Sequence, residues 1–157
     1  MLDSRRLIID DACKLADTGG NGTNLLNSSA AATIDGTAKT FDTGGGYTEA
    51  KWVLDIASVV GVATAASVAG LEIALEASTT STFTDWVKLA RLKLGPEATT
   101  HTRESSDNSA ASGAVGRYIY PVHNLFNSTI YRHLRVYTAF GPTVGNQTVG
   151  FQSWLSK

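Results

Sequence analysis

Apolar side chains recur at every second position along most of this chain. In Leu71–Ser78, Leu71, Ile73, Leu75 and Ala77 alternate with Glu72, Ala74, Glu76 and Ser78. This is the pattern of a strand with one face in a core and the other in water. In Lys51–Val60, Trp52, Leu54, Ile56 and Val60 share a face, with Val53 and Val59 on the other. Arg117–His123 aligns Tyr118, Tyr120 and Val122; Tyr131–Phe140 aligns Leu134, Val136 and Phe140; Gln147–Leu155 aligns Val149, Phe151 and Leu155. Weaker strands are expected near Asn24–Asn27 and Thr37–Phe41. Asp85–Leu94 stays open: Trp86, Leu89 and Ala90 fit a helical turn, whereas Ala90, Leu92 and Leu94 fit a strand, and Gly95-Pro96 ends either. Ser4–Leu15 reads as a short helix or an extended arm. About eight strands with one buried face predict an all-β chain, a two-sheet β-sandwich or jelly roll, in a single domain over 1–157.

Two stretches depart from this pattern. Residues 1–20 read as an N-terminal arm, and Glu97–Ala114 contains no long aliphatic or aromatic side chain. A structureless segment of that length in a compact domain is unusual, so 97–114 is expected to be a long, exposed, polar insertion loop.

Composition narrows the classes of function. Gly, Ala, Ser and Thr make up 68 of 157 residues, and the formal net charge is −1. The lone Cys13 makes no internal disulfide and excludes a multi-cysteine zinc site. The near-zero charge argues against direct nucleic-acid binding, which needs a basic excess. No run approaches the ~20 apolar residues of a membrane helix, and Met1-Leu-Asp-Ser-Arg-Arg does not open like a secretory signal, so no membrane partner is expected. The charge is unevenly spread. Residues 1–50 hold four bases and seven acids, whereas 116–157 hold Arg117, Arg132, Arg135 and Lys157 and no acid. Either the late strands pair with the early ones and the charges mix, or the C-terminal part forms a basic face for an acidic partner.

Candidate chemistry is sparse. Asp17-Thr18-Gly19 and Asp42-Thr43-Gly44 match the loop of aspartic proteases, in which two carboxylates ~3 Å apart share a proton. Both run into Gly-Gly and lie 25 residues apart in one short chain. Asp-Thr-Gly is also an ordinary turn sequence, and the turn is the reading adopted. His101, His123 and His133 have no chelating spacing, Cys13 has no activating histidine nearby in sequence, and Gly44-Gly45-Gly46 lacks the Lys-Ser/Thr of a phosphate loop. The Asn-x-Ser/Thr sequons at Asn21, Asn27, Asn127 and Asn146 carry little weight in a chain this rich in Ser and Thr. No cofactor, metal or enzymatic activity is expected. Surfaces remain. Tyr131, His133, Arg135 and Tyr137 form an outward ladder on one strand, and Trp154 shares the outer face of the last strand with Thr148 and Gln152. Such a ladder is either an ordinary solvated strand face or a subunit interface, where Tyr, Trp and Arg are enriched.

Three segments in order carry a family resemblance: Leu71-Glu-Ile-Ala-Leu-Glu-Ala-Ser-Thr-Thr-Ser-Thr-Phe83-Thr-Asp-Trp, Arg117-Tyr-Ile-Tyr-Pro-Val, and Tyr131-Arg-His-Leu-Arg-Val-Tyr-Thr-Ala-Phe140, with a short opening Leu2-Asp-Ser-Arg-Arg. Together they resemble the jelly-roll decoration, or cement, proteins of short-tailed double-stranded DNA phages, of the Bordetella phage type. The insertion at 97–114 and the Gly/Thr-rich N-terminal loops depart from that pattern. The resemblance implies a virion protein made in the host cytoplasm. It would form a homotrimer on the outer capsid surface and bridge neighbouring major capsid proteins of the HK97-type fold. It also implies that Arg5 and Arg6 act in an arm on the capsid or a neighbouring subunit, and that Tyr131, Arg135, Tyr137 and Trp154 belong to protein interfaces. The competing expectation is a carbohydrate-binding jelly roll of a phage tail or surface structure, using Trp86, Trp154 or Tyr47.

Overall fold

Why the alternating segments become strands is visible in what each inner face meets. The computed structural model describes residues 14–18, 30–31, 33–34, 37–60, 71–94, 105–108, 115–139 and 148–157. These hold fourteen strands and no helix. A four-stranded sheet runs β1 (Lys14–Thr18), β14 (Thr148–Ser156), β6 (Glu49–Val60), β10 (Gly116–His123), all antiparallel. A second sheet runs β2 (Ala30–Ala31), β13 (His133–Ala139), β7 (Leu71–Ser78), β8 (Val87–Leu94), β9 (Ser105–Asn108), with β5 (Phe41–Asp42) also on β13. Two small ribbons complete the set: β3 (Thr33–Ile34) with β4 (Thr37–Ala38), and β11 (Leu125–Phe126) with β12 (Thr129–Ile130).

The core is shared by the two larger sheets, as in a β-sandwich. Trp52, Leu54, Ile56, Val149, Phe151 and Leu155 come from the first, and Leu71, Ile73, Leu75, Leu92, Leu134 and Val136 from the second. Tyr118 and Tyr120 pack at its margin, and Trp52 stacks on its cross-strand partner Tyr120 with ring centroids 5.3 Å apart. The one polar atom of the buried Trp52 is satisfied: its indole N–H donates to Ser153 Oγ at 2.6 Å. A polar group placed in such a core without a partner would be strongly destabilising.

The strands expected at Leu71–Ser78, Arg117–His123 and in the last segment are present, and Asp85–Leu94 resolves as a strand from Val87 onward. Four expectations change. The arm proposed over 1–20 is built into the sheet at Lys14–Thr18, where β1 pairs with β14. The insertion 97–114 is not loop throughout, because Ser105–Asn108 pairs in parallel with β8. Alternation along β6 is unbroken only from Trp52 to Ile56, since the ladder to β14 shifts register between Gly150 and Phe151. The expected strand at Thr37–Phe41 is two short strands, β4 and β5. Asn24–Asn27 and Phe140 lie outside the described residues.

The largest correction concerns β7. Glu72, Ala74, Glu76 and Ser78 were expected to face water, yet Glu76 is 2% and Ser78 0% exposed. β7 is the middle strand of its sheet, and its outer face is roofed by long side chains from its neighbours. Arg135 of β13 donates from Nε to Glu76 Oε2 at 2.9 Å, and its guanidinium lies 4.2 Å from the Phe83 ring centroid and 5.0 Å from that of Tyr137. Lys88 reaches Glu72 at 2.5 Å from β8. Deleting one member of a buried ion pair leaves the other charge uncompensated, so Glu76→Ala is expected to destabilise the fold by ~3–5 kcal/mol. Asp55→Ala, which removes the exposed partner of Arg117, is expected to cost ~0–1 kcal/mol. Urea unfolding of the two variants checks the contrast; equal losses would contradict the buried role of Glu76.

Candidate interaction surface

Three connections meet at one end of the sandwich. β5 leads into β6 through 43–48, β10 leads into β13 through 124–132, and β7 leads into β8 through 79–86. The registers put them together: His133 of β13 pairs with both Asp42 of β5 and Ser78 of β7, while His123 of β10 pairs with Glu49 of β6. β14 ends there too, because Ser156 pairs with Lys51.

Asp42-Thr43-Gly44 is the first of these connections, and its geometry is that of a turn. Gly44 N–H donates to Asp42 Oδ1 at 2.8 Å, and Gly44 and Gly45 take φ of +81° and +82°, a region that favours glycine. Arg132 donates to the same carboxylate through Nε and Nη2, each at 2.6 Å. This bidentate clamp, with the Gly44 N–H, draws the Asp42 carboxyl down from 3.8 to about 2. An acid of the protease type shares a proton with a second carboxylate; Asp42 is held ionised by a guanidinium.

Asn124 anchors the second connection. It is buried, and its side-chain Nδ2 donates to Gly46 O at 2.9 Å and Thr43 Oγ1 at 3.2 Å, while its Oδ1 accepts from Thr48 N–H at 2.8 Å. Its backbone N–H donates to Thr48 O at 3.1 Å and its carbonyl accepts from Tyr131 N–H at 2.8 Å. These bonds fix the root of the β11–β12 hairpin, whose turn residues Asn127 and Ser128 have φ of +47° and +63°, the left-handed pair of a tight hairpin turn. Beyond the root every hairpin residue from Leu125 to Ile130 is exposed.

The third connection is organised by Asp85. Its carboxylate accepts from Ser78 Oγ at 2.5 Å, from Thr79 Oγ1, and from Thr80 Oγ1 at 3.4 Å. Ser78 first and Thr79 next hold its carboxyl down from 3.8 to about 2. Phe83, at φ +55°, turns its ring inward beneath Arg135 and is 6% exposed. Trp86 faces outward beside Lys88, whose Nζ is 5.6 Å from its ring centroid.

The result is an apolar end on a locked frame. Of the seven large hydrophobic side chains exposed among the described residues, five are here: Tyr47, Trp86, Leu125, Phe126 and Ile130. Tyr47 donates its hydroxyl to Glu49, which raises the phenol's pKa, and its ring lies 6.3 Å from that of His123.

The residues expected at interfaces from sequence are scattered by this architecture. Tyr131 lies ahead of β13, half-buried against the core. Arg135 and Tyr137 sit on the outer face of the second sheet, where Arg135 is committed to Glu76. Trp154 is on the outer face of the first sheet with Arg117 5.3 Å above its ring. Arg5 and Arg6 lie outside the described residues, as do Cys13, His101, and the sequons at Asn21, Asn27 and Asn146. Of the two readings of the acid-free C-terminal part, its arginines follow the one in which late strands pair with early ones and the charges mix: Arg117, Arg132 and Arg135 each pair with an acid of an earlier strand, Asp55, Asp42 and Glu76. Among the described residues no three His, Cys, Asp or Glu side chains converge in a metal-binding arrangement. Comparison with protein-family models, with curated proteins and with solved structures gives no match.

The two clamped carboxylates set an acid dependence. Each has a folded-state pKa below its unfolded value, so the unfolded chain binds more protons and stability rises with pH. Their contribution is complete above about pH 4 and is lost as pH falls from about 4 to about 2. Thermal melts of the wild type and of Asp42→Asn and Asp85→Asn between pH 2 and 7 are expected to show shallower acid slopes in the variants; parallel slopes would contradict the clamps.

Proposed function

We propose that this protein is a structural virion component, a capsid decoration (cement) protein that assembles as a homotrimer on the outer capsid surface and bridges neighbouring major capsid proteins. The jelly-roll connectivity that this reading entails is part of the proposal. Its sequence support is the resemblance across Leu71–Trp86, Arg117–Val122 and Tyr131–Phe140. The observation that carries it is the end of the sandwich described above: exposed Tyr, Trp, Phe, Leu and Ile side chains on connections braced by the hydrogen bonds of Asn124, Arg132 and Asp85. Such a surface is built for contact with other protein, and repetition of modest contacts around a shell supplies avidity. Arg5 and Arg6 would add charge-assisted contacts to acidic groups of the shell.

A second reading, a saccharide-binding module, draws on the outward-facing Trp86 and Tyr47, which offer ring faces to sugars. Trp154 serves this reading less well, since Arg117 lies over its ring.

Mass spectrometry of purified virions separates the two. The decoration reading expects this chain in fixed high copy relative to the major capsid protein, and binding of the purified protein to particles that lack it. Absence from virions together with failure to bind such particles would overturn it. Selective retention on a glycan array would favour the second.

A further inference from the structure

We infer that the open edge of β10 takes an extended segment of the major capsid protein as an added strand of the first sheet. The inference rests on the proposed decoration role for the identity of the partner, and it adds where and how that partner is held.

β10 is the last strand of its sheet, and among the described residues no strand pairs with its far side. Which backbone groups point there follows from one hydrogen bond. Asn124 N–H donates to Thr48 O at 3.1 Å, one pair beyond the ladder that runs from Gly116 opposite Ile56 to His123 opposite Glu49. Bonded pairs alternate along an antiparallel ladder. Val122, Tyr120 and Tyr118 therefore turn their N–H and C=O toward β6, and Arg117, Ile119, Pro121 and His123 turn theirs away. Pro121 fits that parity, since proline has no N–H and is tolerated where the ladder needs none. Native sheets blunt such edges with lysines, bulges or prolines. β10 has no lysine, its eight pairs with β6 run without a bulge, and Arg117 is held by Asp55, so Pro121 is its one protection.

The surroundings of the edge fit a strand of another chain. Tyr118 and Tyr120, on the core side, are only half-buried, and Ile119, on the outer side, is 56% exposed. A strand laid along the edge bonds the outward groups and brings alternate side chains over the two tyrosines, which asks for apolar residues at every second position. The second sheet already reaches that far: β10 lies against β8, and β9 continues beyond it, so an added strand gives β9 a counterpart. β10 also runs directly into Asn124 and the exposed hairpin, which makes the edge continuous with the apolar end. A second copy of this chain fits less well. Two β10 strands paired along their full length bring both Pro121 residues into one ladder, each without a donor, and such a pairing is two-fold, whereas the proposed oligomer is a trimer. Head-to-tail pairing of β10 with β1, the other edge of the sheet, would close a ring, but β1 already has β3 against it. A strand from another protein meets a single Pro121.

Two variants of the full chain separate backbone from side chain. Ile119→Pro removes the outward N–H and repeats what Pro121 does two residues on; Ile119→Thr changes the side chain and keeps the N–H. Co-sedimentation with decoration-free particles measures binding, and circular dichroism melts check that both variants fold. The expected result is that wild type and Ile119→Thr bind alike and that Ile119→Pro loses about tenfold in affinity. Amide hydrogen exchange needs no variant: Arg117 and Ile119 are expected to exchange fast in the free protein by NMR, and the segment 116–123 to gain protection on the particle by mass spectrometry. A folded Ile119→Pro that binds like the wild type, outward amides protected before any partner is added, or no gain of protection on the particle overturns the inference and leaves the decoration reading standing. An equal loss in both variants assigns the contact to the Ile119 side chain and also overturns strand addition. Wild-type self-association that Ile119→Pro abolishes would give the edge to a second copy, against the inference. Particles that take up no wild-type protein remove the decoration reading and this inference with it.

Discussion

Glu76 is a carboxylate on the outer side of the middle strand of a sheet, and it is 2% exposed. An ionised acid is tolerated at that depth only with a partner that replaces its water. Arg135 supplies this from the neighbouring strand, and the guanidinium in turn needs cover, which Phe83 and Tyr137 provide on its faces. Phe83 reaches that position from a connection bent through φ +55° and tied to Asp85 by hydroxyl groups. The placement of 79–86, including the outward Trp86, therefore follows from one buried charge. The same requirement explains why a strand reading as half-polar is buried on both sides.

Ion pairs between distant segments repeat this logic with less burial. Arg117 to Asp55, Arg132 to Asp42 and Arg135 to Glu76 each join a segment after residue 115 to a strand before residue 80. The acid-free C-terminal part and the acid-rich N-terminal part are two halves of one pairing scheme. The exposed pairs contribute little to stability individually. Their effect is on register, because a slip of one residue along β10 or β13 would turn the arginine away from its acid.

How much was legible in the sequence follows from the physics of each element. Long strands with one buried face announce themselves by alternation, and β7, β10, β13 and β14 were readable within a residue or two at each end. The burial of the outer face of β7 was not, because it depends on Arg135, fifty-nine positions away. The β11–β12 hairpin was missed for the opposite reason. Its strands have two residues each and no buried face, so they carry no periodicity. The available signal was Asn127-Ser128 between apolar residues, a pair suited to left-handed backbone. The Asp-Thr-Gly at 42–44 was readable as a turn from its composition, whereas its clamp by Arg132 required the β5–β13 register.

These features bear on how a domain made largely of small residues can still be a specific surface. Gly, Ala, Ser and Thr contribute little contact area, so recognition falls on the few large side chains left outside the core. For those to be selective, their backbone must be fixed before a partner arrives. Here small polar side chains do part of the fixing: the hydroxyls of Thr43, Ser78, Thr79 and Thr80 bond Asn124 and Asp85 and leave Tyr47, Trp86, Leu125, Phe126 and Ile130 displayed. Hydroxyls that bond within and between these connections bring no charge of their own to the display. The threonines and serines of these connections thus serve the display, because their hydroxyls hold the frame on which the apolar side chains are presented.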